Sequence, residues 1–182
     1  MIIIGILVVV ALIIVWAVGT YNGLVKKDLK CDEAFSTMDV YMKKRFDLIP
    51  NLVETVKGYA KHEKETLEKV IAARNSVQNA GSTAEKMEAE NQISSTLKSI
   101  FALAEAYPDL KANTNFQTLM GNLEKIEEDI ANSRKYYNAV VRDFNVKIRQ
   151  FPSSIVANFG HFEKKALYEI KSEERENVKV NF

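Results

Sequence analysis

Ile2-Ile3-Ile4-Gly5-Ile6-Leu7-Val8-Val9-Val10-Ala11-Leu12-Ile13-Ile14-Val15-Trp16-Ala17-Val18 is apolar around its whole circumference, and no charged side chain occurs between Met1 and Tyr21. As a helix the run rises roughly 26 Å, and continuing to Tyr21 brings it to about 30 Å, one hydrocarbon thickness. A cleaved signal peptide would need a basic segment before the run and a small-x-small site after it. Here no Lys or Arg precedes it, and it ends in Trp16-Ala17-Val18-Gly19-Thr20-Tyr21. A core helix of a small protein is rarely apolar on every face. Trp16 and Tyr21 lie where interfacial aromatics lie. The expected organisation is a transmembrane anchor over 1–23, a helical bundle over 24–165, and a charged tail over 166–182. That tail, with Glu173-Glu174-Arg175-Glu176, is expected to be flexible apart from a short docked stretch.

The basic residues next to the span all follow it, at Lys26, Lys27 and Lys30, among Asp28, Asp32 and Glu33. Counting only Lys and Arg, this favours a single-pass protein with an outside N-terminus and a cytoplasmic body.

Seven Gly and three Pro in 182 residues suit long helices with short connections. A formal charge of +1 gives no electrostatic case for a nucleic-acid partner. Cys31 is the single cysteine, so no intramolecular disulfide can form.

Beyond Asn22-Gly23 the pattern turns amphipathic. Met38, Arg45, Leu52 and Tyr59 recur at seven-residue spacing beside Phe35, Met42, Ile49 and Val56, an apolar seam of coiled-coil type. The first helix is expected to run on from the span, with Pro50 kinking or restarting it. A second helix over His62 to Asn79 would turn Leu67, Val70, Ile71 and Val77 inward and end at a glycine stop, Gly81. Ser82 or Thr83 caps a third helix reaching about Tyr107, with Ser82-Thr83-Ala84-Glu85 a capping box in form. Tyr107 to Asn113 reads as a loop. The fourth helix, about Asn115 to Gln150 and about 54 Å long, carries Phe116, Leu123, Ile130, Tyr137, Phe144 and Phe151 at strict sevenfold spacing and stops at Pro152. The fold class is all-α: a transmembrane helix followed by an antiparallel up-down four-helix bundle.

Several polar residues interrupt the seams: Arg45, Arg74, Glu127, Arg134, Asn138 and Asn145. Such residues are costly unless satisfied, so the expectation is pairing across helices, for instance Arg45 or Arg74 with Glu127 or an Asn. The alternative is that Arg45, Arg74, Asn138 and Asn145 line a pocket or groove for a ligand or a partner helix.

No catalytic constellation stands out. His62-Glu63-Lys64-Glu65-Thr66 lacks the second His a zinc-protease helix needs, and His161 is remote in sequence. Cys31 has no local His to make it a thiolate. No Gly-rich phosphate loop or nucleophile elbow occurs. The chain reads as a non-enzyme without cofactor or metal, a membrane-anchored scaffold or adaptor; a membrane-tethered ligand-sensing module is the alternative.

Tyr21-Asn22-Gly23-Leu24-Val25 and Lys44-Arg45-Phe46-Asp47-Leu48-Ile49-Pro50-Asn51-Leu52-Val53-Glu54-Thr55-Val56-Lys57-Gly58-Tyr59-Ala60 resemble the LemA family signature. The resemblance continues through His62-Glu63, Ala73-Arg74, Tyr107-Pro108-Asp109-Leu110-Lys111-Ala112-Asn113, Glu127-Glu128-Asp129-Ile130-Ala131, Arg134, Tyr137-Asn138, Phe144-Asn145 and Phe151-Pro152. It covers nearly the whole chain in order, with Phe144 standing where the family usually has Tyr. The signature positions are Arg45, Asp47, Pro50, Asn51, Glu54, Arg74, Glu127, Arg134, Asn138, Asn145 and Pro152. The resemblance implies a bacterial inner-membrane protein with a four-helix bundle and no established catalytic residues. Genes of the family often lie beside those of a membrane metalloprotease or a secreted domain, so the resemblance also implies, by that association alone, a role in envelope maintenance. Partners expected on this reading are the lipid bilayer through Ile2 to Tyr21, and a second copy or a membrane protein such as a protease.

Overall fold

A computed structural model describes residues 1–169, and among these the chain forms six helices and no strand. They are α1 (Ile2–Tyr59), α2 (Lys64–Asn79), α3 (Thr83–Glu105), α4 (Pro108–Ala112), α5 (Thr114–Arg149) and α6 (Ser153–Phe159). The apolar run and the first amphipathic helix are one continuous α1 of 58 residues, whose N-terminal part is long and apolar enough to cross a membrane. The chain divides into two compact units. Among the described residues the first comprises Met1–Thr37 and Ser133–Leu167, and the second Met38–Asn132 with Tyr168 and Glu169.

The second unit holds a four-helix core. Ile49, Leu52 and Val56 of α1, with Ala60 just after it, pack with Leu67, Val70 and Ala73 of α2, Ile93, Leu97, Ile100 and Ala104 of α3, and Phe116 and Leu123 of α5. These positions recur three or four apart, or seven apart on α5, which keeps one stripe facing the shared interior. Leu110 of α4 closes the stack. In the first unit α1 and α5 run antiparallel, with Lys27 paired to Asp143 and the Phe35 and Tyr137 rings 5.8 Å apart edge to face.

Several local expectations are corrected. Pro50 does not restart the helix, because α1 passes through it. The proline removes the N–H that would serve the Phe46 carbonyl one turn back, and Arg74 Nε donates to that oxygen instead at 3.4 Å. Tyr107 to Asn113 is not a loop, because Pro108 at the first turn starts α4. Gly81 takes no left-handed conformation: α2 ends on the extended Ala80. Ser82 does cap α3, accepting from Glu85 N, while the Glu85 carboxylate reaches back to the Gly81 N–H at 2.8 Å.

Tyr59, Ile71 and Phe151 are exposed, although their spacing placed them inward. Each lies at or near the edge of a stripe or the end of a helix, where the neighbouring helix no longer covers it. α2 begins at Lys64 rather than His62. The docked stretch expected in the tail is found at 166–169, where buried Tyr168 donates to the Met87 carbonyl and the Glu169 carbonyl accepts from Asn91. The rest of the tail, 170–182, lies outside the described residues.

Candidate functional site

The most polar feature of the interior is a clamp in the second unit that joins α1, α3 and α5. Arg45, fully buried, stands in the series Met38, Met42, Arg45, Ile49, Leu52, whose alternating four- and three-residue steps point it into the core. Its Nη1 donates to Glu127 and, at 2.5 Å, to Ser94 Oγ. Its Nη2 donates to the Glu90 carboxylate and, at 3.0 Å, to the Glu90 carbonyl. Ser94 Oγ in turn donates to Glu127 Oε2 at 3.1 Å. Arg45 Nε is buried without a hydrogen-bond partner.

One guanidinium thus serves two carboxylates. Burial alone would lower the Arg45 pKa, but Glu127 and Glu90 outweigh it and hold the group above its ordinary value. Glu90 moves up as well, because burial disfavours its charge by more than Arg45 restores. Glu127 keeps 28% of its side chain exposed and so retains access to water, whereas Glu90 keeps 1%. The clamp thus ties α1, α3 and α5 together through one guanidinium shared by two carboxylates.

Arg74 lies half-buried beside this clamp, its guanidinium carbon 4.0 Å from the centroid of the Phe46 ring. It stacks and caps the Phe46 carbonyl rather than pairing with Glu127. A cleft of about 190 Å³ opens here, lined by Asp39, Lys43, Phe46, Lys86 and Glu90 among others, with Lys86 and Asp39 paired at 2.5 Å.

In the first unit Asn145 is buried and spent on the backbone of Lys165, to which it donates at 2.9 Å and from which it accepts at 3.0 Å. Tyr137 donates to the Ala166 carbonyl at 2.9 Å. Lys165 reaches Asp28 at 2.9 Å and Asp32 at 2.5 Å. Burial would lower the pKa of its ammonium, but the two aspartates together raise it. These contacts bind the segment after α6 to α1 and α5. Cys31 is buried in this unit, and burial pushes its thiol upward.

Of the sequence-predicted residues, Arg45 and Glu127 meet as expected. Arg134 and Asn138 are half-buried on α5. Asp47, Pro50, Asn51 and Glu54 form an exposed row on α1, where Asp47 pairs with Lys43 one turn away. Pro152 is exposed ahead of α6. Arg45 and Asn145 do not present free polar groups to a common pocket, since the guanidinium and the amide are used internally. Both histidines are exposed: His62 precedes α2, and His161 follows α6. Among the described residues no group of three or more His, Cys, Asp or Glu is placed to hold a metal ion.

Glu90 and Ser94 were missed as partners. The signal for Glu90 was present, because the α3 series Ile93, Leu97, Ile100, Ala104 extends back by three residues onto it.

Protein LemA of Metamycoplasma hominis is 26% identical over 162 residues, 88% of this chain and 74% of that protein. The magnetosome proteins MamQ 1 and MamQ 2 of Paramagnetospirillum magneticum are each 25% identical over 83 residues, 46% of this chain and 30% of theirs. The model of the LemA family matches residues 34–182, taking in the clamp, the α1 row and the α5 seam, so the chain belongs to the LemA family.

Proposed function

We propose that the chain is a membrane-anchored, non-catalytic helical scaffold or adaptor. In this reading it stands in the bacterial inner membrane, with its body on the cytoplasmic side, and serves envelope organisation or maintenance through protein contacts. The observation that carries the reading is the continuity of α1. The same helix that is apolar enough to cross a bilayer supplies Ile49, Leu52 and Val56 to the bundle core and Arg45 to its clamp. A helix without a break transmits position and torque, whereas a linker would not. The interior polar groups are spent on fixing helix register, which is a use of charge suited to a rigid body. The likeness to magnetosome proteins adds relatives named for a cellular structure rather than for a reaction.

The partner is a second copy or a membrane protein, a membrane protease among the candidates. Extraction in mild detergent, sizing and identification of co-purifying molecules test this. A homo-oligomer or a stable membrane-protein complex supports the scaffold. A lone monomer carrying a small molecule would favour the sensing alternative, for which the cleft beside Glu90 and Lys86 is the place to look. Release of the full chain from membranes by carbonate would overturn the anchor. Ser36, exposed past the span, reports orientation. With Ser36→Cys, an impermeant maleimide should label intact cells only after lysis, and labelling before lysis would reverse the orientation.

A further inference from the structure

α6 is built inside out for a helix surrounded by water. It turns its small residues Ser153 and Ala157 inward, while its Ile155 and Phe159 are 59% and 90% exposed, and Phe151, in the turn just before it, is 77% exposed. No other large apolar residue outside the span is as exposed as Phe159 and Phe151 among those described. The inward face is tied down: the Ser153 hydroxyl lies 2.7 and 2.8 Å from the Lys147 and Gln150 carbonyls and shares its proton between them, which holds this side of α6 toward the end of α5.

The end of α6 is fixed as well. Phe162 N–H donates to the Ala157 carbonyl at 3.0 Å and His161 N–H to the Asn158 carbonyl at 3.3 Å, a Schellman closure with His161 at φ 56°. Phe162 then sets its ring 5.6 Å from Tyr21 and 6.3 Å from Phe144.

The place of this face in the first unit identifies what covers it. The pairing of Lys27 with Asp143 and of Phe35 with Tyr137 sets an antiparallel register that brings Arg149 level with the Tyr21 turn of α1. Gly160 packs so closely there that a Cβ on it would lie 3.0 Å from the Tyr21 ring. Tyr21 is the interfacial aromatic at the end of the apolar run. α6 therefore lies beside the point where α1 leaves the hydrocarbon, at the depth where amphipathic helices rest with their apolar face among the acyl chains. Arg149 and Lys164, both exposed, flank the segment and suit anionic headgroups.

Resting on the reading of α1 as a membrane span, we infer that α6 is an interfacial foot: Phe151, Ile155 and Phe159 insert into the proximal leaflet and form a second contact with the bilayer. A span alone leaves the body free to tilt and spin; a foot beside it fixes both.

The test uses the full chain in vesicles of zwitterionic and anionic phospholipid, with Cys31→Ala and one added cysteine carrying an environment-sensitive fluorophore. Phe159→Cys and Ile155→Cys read the foot, and Ile13→Cys reads the span. Lys135→Cys, fourteen residues before Arg149 and about 21 Å further along α5, reads water. The expected result is blue-shifted emission at 159 and 155, quenched by lipids labelled high on the acyl chain, with neither effect at 135. Water-like, unquenched emission at 159 and 155 beside a lipid-quenched 13 would overturn the foot and leave the span standing. Absence of lipid quenching at 13 as well would overturn both. Blue-shifted emission at 159 that lipid does not quench would assign the face to protein instead and overturn the proposal.

Discussion

Replacing Arg45 by Met removes the one cation of the clamp while roughly preserving volume on the α1 seam. Glu90, 1% exposed, is then left buried without its partner, and Glu127, 28% exposed, turns to water. Removing one member of a buried ion pair costs roughly 3–5 kcal/mol. At about 2–4 °C per kcal/mol for a chain of this size, the melting temperature should fall by about 6–20 °C. Removing the charge on both sides is gentler, because an apolar pair needs no compensation. Arg45→Met with Glu90→Leu should thus be milder than the sum of its singles by roughly 1–3 kcal/mol. The coupling to Glu127→Leu should have the same sign and be smaller, since that carboxylate keeps water. Far-ultraviolet ellipticity of the full chain in non-ionic detergent, followed through thermal and denaturant unfolding, measures the parent and the five variants. Additivity of Arg45 with Glu90 within about 0.5 kcal/mol, or an Arg45→Met chain as stable as the parent, would refute the clamp.

Glu90 also sets a pH dependence. Its folded pKa lies above the ordinary 4.5, so the folded state binds this proton more readily than the unfolded one. The stability it contributes is present below 4.5 and is lost as pH rises through the raised folded value. Relative to Glu90→Gln, the parent should therefore gain stability on acidification across that window; a gap that widens the other way would contradict the assignment. Arg74 is expected to serve Pro50: in a Pro50→Ala background the Phe46 carbonyl regains its helical donor, and Arg74→Ala should cost about 1 kcal/mol less than it does in the parent. Equal costs in both backgrounds, by denaturant unfolding, would separate the two residues. Cys31, buried and with its thiol raised, should react with an impermeant maleimide at least about tenfold more slowly in the native chain than after denaturation. Rapid native labelling would show that this part of the first unit opens.

The helices were legible because their code is local. Spacing by three and four identifies the face of a helix that must be covered, and it identified the faces built on Met42, Ile49, Leu97, Leu123 and Phe144. What failed depends on where a covering neighbour ends. Tyr59, Ile71 and Phe151 fit their stripes but lie beyond or beside the helices that bury the rest. Tyr107 to Asn113 shows the same limit on a shorter scale. Pro108 can be a loop residue or a helix start, and only the packing of Leu110 into the core decides for the helix.

The clamp shows how far such a code reaches toward a site. Arg45, Glu90 and Glu127 each stand on the seam of a different helix, so each position alone announces a charge that must be satisfied inside. Periodicity gives the depth of such a residue but not its height along the bundle, and pairing depends on height. Arg45 could reach Glu127 only if α1 and α5 ran past one another at one particular offset. That offset is fixed by the lengths of the connections between α1 and α5, by α4, and by a Pro50 that leaves α1 unbroken. Arg74 gives the converse case. On sequence it was another seam charge in search of an acid, but its role comes from a backbone oxygen left over one turn before a proline, a vacancy no side-chain pattern records. Arg45 and Arg74 thus do two different jobs, one tying three helices together and one repairing a helix.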